Sequence, residues 1–178
     1  LSELNQTIHQ ATDGFEAFEY FKARTAIDSF FWNTFTDNYL EFVKYRLYDE
    51  TPEGQASRKA AQHTLYTVLL AIIKMYAPIL PFITEEIYQG LFRETEGDTS
   101  IHVSAWPTVV ESWMTDEDFR AEFAEVLKVV EAVRGYKSQN GISLGKELEE
   151  FEYQGPKSLE HHVPFLERAL RVTKIKLT

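Results

Sequence analysis

Lys44-Tyr45-Arg46 closes a long stretch of apolar-periodic sequence and sets two cations around an aromatic ring. Those residue types suit a splayed single-stranded RNA loop. Bases stack on aromatic or apolar faces, while Lys and Arg meet phosphates and base edges. Leu91-Phe92 ends a shorter periodic stretch and offers an aliphatic and an aromatic platform of the same kind. Arg134 and Lys137, with Lys146 beyond them, flank a polar break and are candidates for phosphate contact. Each has a plainer reading. Lys44 and Arg46 can be cations favoured near a helix C-terminus. Leu91 and Phe92 can simply close a core, and hinge cations can serve solubility.

Catalytic chemistry finds no comparable footing. Glu85 and Glu86 look like paired carboxylates, but neighbours on a helix point apart, and dipole compensation near a helix start explains them better. His161 and His162 are adjacent rather than at the i, i+4 spacing of a helical metal site, and His9, His63 and His102 are scattered. The chain has no cysteine, which excludes disulfides and thiolate zinc sites. No Gly-rich phosphate loop and no Ser/His/Asp set occurs. The expectation is no catalytic residue, no metal and no cofactor within this chain.

The elements that must position these residues are helices. Leu1, Leu4, Ile8 and Ala11 line one face of a first helix to about Thr12, followed by the turn signal Asp13-Gly14. From Phe15 or Phe18 to Leu47 the pattern is one long helix, with Ile27, Phe31, Phe35, Tyr39 and Val43 recurring every four residues and Trp32 expected in the core. A third helix is predicted over Gln55–Tyr76. Pro78 stops it, and Pro81 suits the first position of an elbow helix running to about Phe92. Ile101–Trp106 reads as a short extended piece. Asp116 is a plausible N-cap for a helix to about Lys137. Leu148–Tyr153 and Val172–Leu177 alternate like strands, with a short helix starting at Ser158 or Pro164 between them. The fold class predicted is mainly α, an antiparallel helix bundle over residues 1–139 with a small α+β appendage over 140–178.

Alternating helix directions place the end of helix two, the start of helix three and the end of the elbow helix at one pole. Lys44, Tyr45, Arg46, Leu91 and Phe92 would meet there, while Lys22 and Arg24 sit at the other pole as a solvated face.

At 178 residues, 44% hydrophobic and 14% aromatic, the chain has enough material for a core. Lys74 and Pro78 interrupt its best apolar run, so no membrane span is expected, and a cytoplasmic location is the simplest reading. The net charge of -10 argues against a general nucleic-acid binder. The charge is uneven. Residues 1–133 hold 10 Lys/Arg and 22 Asp/Glu, whereas residues 134–178 hold 8 and 6.

Three stretches carry a resemblance. Tyr76-Ala77-Pro78-Ile79-Leu80-Pro81-Phe82-Ile83-Thr84-Glu85-Glu86-Ile87-Tyr88-Gln89 forms the elbow. Phe30-Phe31-Trp32-Asn33 leads into Asp37-Asn38-Tyr39-Leu40-Glu41-Phe42-Val43-Lys44. Ser100-Ile101-His102 is followed by Trp106-Pro107. Together and in this order they resemble the anticodon-binding domain of the valyl, isoleucyl and leucyl class I aminoacyl-tRNA synthetases. The Tyr39-Leu40-Glu41…Lys44 form and Val133–Gly145 look most like the valyl member, with the isoleucyl member the close rival.

The resemblance spans nearly the whole chain but not a whole synthetase, since the HIGH and KMSKS motifs of the activating fold do not occur. It implies an excised C-terminal part of a larger enzyme. The bundle would grip the tRNA(Val) anticodon stem-loop, with no DNA and no membrane as partner. The catalytic and editing domains of the parent chain would use ATP and Mg²⁺ elsewhere. It also implies a packing or hydrogen-bonding role for His102. A helical protein-interaction scaffold is the alternative of a different class, which the acidic charge would favour.

Overall fold

The computed structural model describes residues 1–178. The chain forms two compact units: Leu1–Glu41 with Arg46–Met114, and Phe42–Tyr45 with Thr115–Thr178. The helix Glu117–Gln139 thus belongs with the C-terminal strands, whereas the sequence pattern assigns it to the bundle. No helix is long and apolar enough to cross a membrane.

In the first unit α1 spans Ser2–Glu16 and α2 spans Tyr20–Ser29. Asp13-Gly14 does not break α1. Gly14 is buried, and a Cβ built there would lie 2.8 Å from the Ala23 backbone nitrogen and 2.9 Å from the Ala23 Cβ. The glycine is therefore a close-approach residue that lets α1 and α2 touch, and the chain turns only at Ala17–Glu19. Phe18 takes a φ of 58° in that turn, the left-handed region non-glycine residues seldom occupy.

The helix continues from α2 through ten residues of π-helix, Phe30–Tyr39, into α3, Leu40–Leu47. Thr36 Oγ1 donates to the Phe31 carbonyl and Asn38 Nδ2 to the Asn33 carbonyl, each at 2.7 Å and each five residues back. The wider turn explains the four-residue stripe. A step of four overshoots an α-helical turn and undershoots a π-helical one, so combining the two keeps Ile27, Phe31, Phe35 and Tyr39 nearer one face than a uniform α-helix would.

Helix α4 spans Gln55–Tyr76, and α5 spans Pro81–Leu91 with Pro81 at its first position, as the elbow predicts. A single turn, α6, covers Arg93–Glu96. Leu4, Ile8, Ile27, Phe30, Phe35, Val68, Ile72 and Met75 make one core, and Ile73, Ala77, Tyr88, Phe92 and Ile101 a second. The return Ile101–Trp106 is not extended throughout. Ile101–Val103 is a 3₁₀ turn capped by Ser100, whose Oγ accepts from the His102 N–H at 3.1 Å.

In the second unit α7 spans Glu117–Gln139, and Asp116 caps it, its Oδ1 accepting from the Phe119 N–H at 2.8 Å. Gly141, at φ 65°, supplies the left-handed residue that ends α7, with the Ile142 N–H returning to the Lys137 carbonyl at 2.8 Å. Strands β1, Leu148–Tyr153, and β2, Val172–Leu177, pair in parallel with Leu148 opposite Val172 and Tyr153 opposite Leu177. A parallel pair needs a crossover. Here it is a 3₁₀ segment, Lys157–His162, followed by α8, Val163–Leu170. Val126, Val129, Val130, Val133, Leu159, Leu166, Leu170, Val172 and Ile175 form the core of this unit.

Candidate nucleic-acid interface

Arg46 ends α3 beside the first turn of α4. Its Nε donates to Ser57 Oγ and its Nη2 to the Ser57 carbonyl, both at 2.9 Å. The end of the second long helix and the start of the next therefore meet, as alternating directions require. Lys44 is exposed and Tyr45 half-buried, both on α3.

The elbow helix does not reach that pole. At 1.5 Å per residue, the 11 residues of α5 cover about 16 Å, against about 33 Å for the 22 of α4. Its end packs beside the middle of α4, where Phe92 lies 4.9 Å from Tyr66, ring centre to ring centre. Leu91 is 64% exposed there and can present an apolar face. Phe92, only 2% exposed and stacked on Tyr88, is a core residue and presents no face to a base. The paired-platform expectation fails because a helix end lying against another helix must bury one of two adjacent side chains.

Lys137 is likewise a structural residue. It is 1% exposed, and its Nζ donates to the carbonyls of Leu144, Lys146 and Leu170 at 3.2, 2.7 and 2.8 Å. Burial, with a smaller push from Arg171, lowers its pKa from the ordinary lysine value. All three ammonium protons are spent on backbone, so Lys137 does not reach a phosphate. Arg134, on the same helix, is half-buried and already has an interaction partner. Lys22 and Arg24 pair with Glu19 and Asp28 on the surface, in keeping with a solvated face.

Trp32, expected in the core, is 56% exposed on the π-helical segment, edge-on to Phe31 at 4.7 Å. The expectation rests on the usual burial of large aromatics, and here Phe30 and Phe35 of the same segment take the buried positions instead.

The elbow and return motifs turn out to hold each other. Glu85 Oε2 accepts from Ser100 Oγ and from the Ile101 N–H, both at 2.9 Å, and its Oε1 accepts from Gln89 at 2.7 Å. Partial burial pushes the Glu85 pKa up, but these hydrogen bonds and nearby His102 outweigh it, and the carboxyl sits below the ordinary range. His102 Nε2 lies 3.2 Å from the Pro81 carbonyl. Further along the return, Trp106 Nε1 donates to Thr12 Oγ1 at 2.9 Å. The motif residues thus fasten the return segment to α5 and α1.

These features define a mainly helical module with a small two-stranded parallel sheet at its C-terminal end. The family described as the anticodon-binding domain of tRNA ligase matches residues 1–152, and the chain belongs to that family. The chain is similar to the valine–tRNA ligase of Haloarcula marismortui, at 40% identity over 155 residues, covering 87% of this chain and 16% of the relative. Similarity to the corresponding ligase of Methanopyrus kandleri is 34% over 184 residues, covering 99% and 19%. For that of Thermoplasma volcanium it is 34% over 182 residues, covering 99% and 22%. The chain spans about a fifth of the length of these curated relatives.

Proposed function

We propose that this chain is the anticodon-loop-binding part of a valine–tRNA ligase, holding the anticodon stem-loop of tRNA(Val) and doing no chemistry itself. The observation that carries this reading is the family match over residues 1–152 together with relatives that are valine–tRNA ligases along almost the whole chain. The parent enzyme would join valine to its tRNA with ATP and Mg²⁺ in catalytic and editing domains outside this chain, in the cytoplasm.

Lys44, Tyr45 and Arg46 on α3 are the proposed phosphate and base-edge contacts, and Leu91 a proposed apolar platform. Trp32 adds a stacking face, since every base offers a π-face to an exposed ring. Burial takes Phe92 and Lys137 out of the proposed set.

The test is fluorescence anisotropy of the chain with anticodon stem-loops carrying valine, isoleucine and scrambled anticodons over a salt series. Expected are preferential binding of the valine loop and a linear fall of log affinity with log salt. Lys44→Ala with Arg46→Ala should weaken binding and flatten the slope by about one for each phosphate that the chain no longer neutralises. Equal binding of all three loops, or none at low salt, overturns the claim that this region reads the anticodon unaided. A second reading, protein docking, is favoured by the exposed rings of Phe18, Phe21 and Phe82 on the first unit. RNA binding lost on polar replacement of those rings, with the fold intact, would assign them to RNA and count against it.

A further inference from the structure

Two histidines adjacent in sequence reach one carboxylate in the second unit. His161 Nε2 and His162 Nε2 lie 2.6 and 2.9 Å from the same oxygen, Glu122 Oε1. The three ligand atoms all fall within 4.8 Å of one another. Adjacent side chains on a regular α-helix would point apart. Here the pair closes the 3₁₀ segment Lys157–His162 just before α8, and the two rings sit 4.0 Å apart, tilted by 41°. Glu122 comes from α7, some forty residues earlier. The backbone beneath them is anchored. Leu159 and Leu166 on one side and Val126, one turn beyond Glu122, on the other are fully buried in a common core.

We infer that Glu122, His161 and His162 form a binding site for a borderline divalent transition-metal ion, Zn²⁺ first among them. Imidazole and carboxylate together are a donor set such ions take, and two His with one Glu leave a fourth tetrahedral position for water. Bond lengths of about 2.0–2.2 Å put ligand atoms roughly 3.4 Å apart around a tetrahedral ion. The present separations of 2.6 and 2.9 Å are those of a hydrogen-bonded closed arrangement, so the ligands must part by roughly 0.5–0.8 Å. His161 has the freedom to do this, its side chain being 62% exposed, while His162 and Glu122 are better held. Each neutral imidazole then carries its proton on Nδ1 and offers Nε2 to the ion. The bound ion ties α7 to the crossover between the two strands. It acts as a clip on the fold of this unit and shares no residue with the set proposed for RNA.

The experiment titrates the chain with Zn²⁺ alone by calorimetry and follows its thermal midpoint. Co²⁺ in a parallel titration reports tetrahedral coordination through its visible absorption. Expected are one ion per chain, a rise in the midpoint, and an affinity at least about tenfold weaker in Glu122→Gln, His161→Ala and His162→Ala. His63→Ala, at an unrelated histidine, leaves affinity unchanged. If His162→Ala fails to fold by circular dichroism, Glu122→Gln and the exposed His161→Ala still decide the matter. Absence of Zn²⁺ binding, or binding weakened no more by the site variants than by His63→Ala, overturns the assignment.

Discussion

The side-chain amide of Asn5 pairs with the backbone of Val110 on both sides: Nδ2 donates to the Val110 carbonyl at 2.7 Å, and Oδ1 accepts from the Val110 N–H at 3.0 Å. A buried residue of the first helix thereby does for an irregular segment what a neighbouring strand would do, over 105 residues of sequence. A segment without regular structure still has to satisfy its backbone groups. Asn5→Leu should therefore lower stability by about 1–3 kcal/mol for each Val110 group left unpaired and cut off from water. Urea unfolding of the two proteins measures it, and a loss near zero would mean water replaces the amide.

Gly14→Ala reverses the usual sign of a glycine replacement in a helix. Alanine is intrinsically better there by about 1 kcal/mol. The new methyl, however, would lie 2.8 Å from the Ala23 backbone nitrogen, and backbone cannot swing aside as a flexible side chain can. Net destabilisation of about 1–3 kcal/mol is expected from overpacking. A rise in thermal midpoint would show that α1 and α2 are not held at this distance.

The Glu85 carboxyl should make stability depend on pH in the acid range. Its folded pKa lies below the ordinary 4.5, so the unfolded chain takes up the proton first as pH falls. Its contribution is thus fully present above about pH 4.5 and is lost as pH drops through the lower folded value. Glu85→Gln keeps the shape but removes this titration. Between pH 6 and pH 3 the unmodified chain should lose more stability than the variant, and parallel curves would overturn the assignment.

Lys137→Met preserves most of the aliphatic stem while removing the three hydrogen bonds to Leu144, Lys146 and Leu170. The Leu170 carbonyl is in buried surroundings, and leaving it alone unpaired costs about 1–3 kcal/mol. Equilibrium unfolding should show this loss. RNA binding, corrected for the folded fraction, should be unchanged, because the ammonium faces the protein interior.

Apolar periodicity and proline placement determined most of the secondary structure. Gln55–Tyr76 and the two strands appear as the pattern predicts, because a 22-residue amphipathic run favours a helix and two short runs that mix β-branched or aromatic residues with charged ones favour half-buried strands. Asp116 caps its helix for an equally local reason, a side-chain oxygen three residues from the N–H it accepts. The family was also legible, since its motifs are runs of neighbouring residues.

What only the tertiary structure decided concerns groups that find partners far along the chain. Gly14 reads as a turn until Ala23 is seen against it. Glu85 reads as a dipole partner until Ser100 and Ile101 arrive to donate to it. Lys137 and Phe92 read as exposed contacts until packing encloses them. His161 and His162 read as an unproductive pair until α7 brings Glu122 between them. In each case the residue type is compatible with either role. Which role it takes depends on desolvation and on a hydrogen-bonding partner supplied by another element, and a linear spacing rule contains neither.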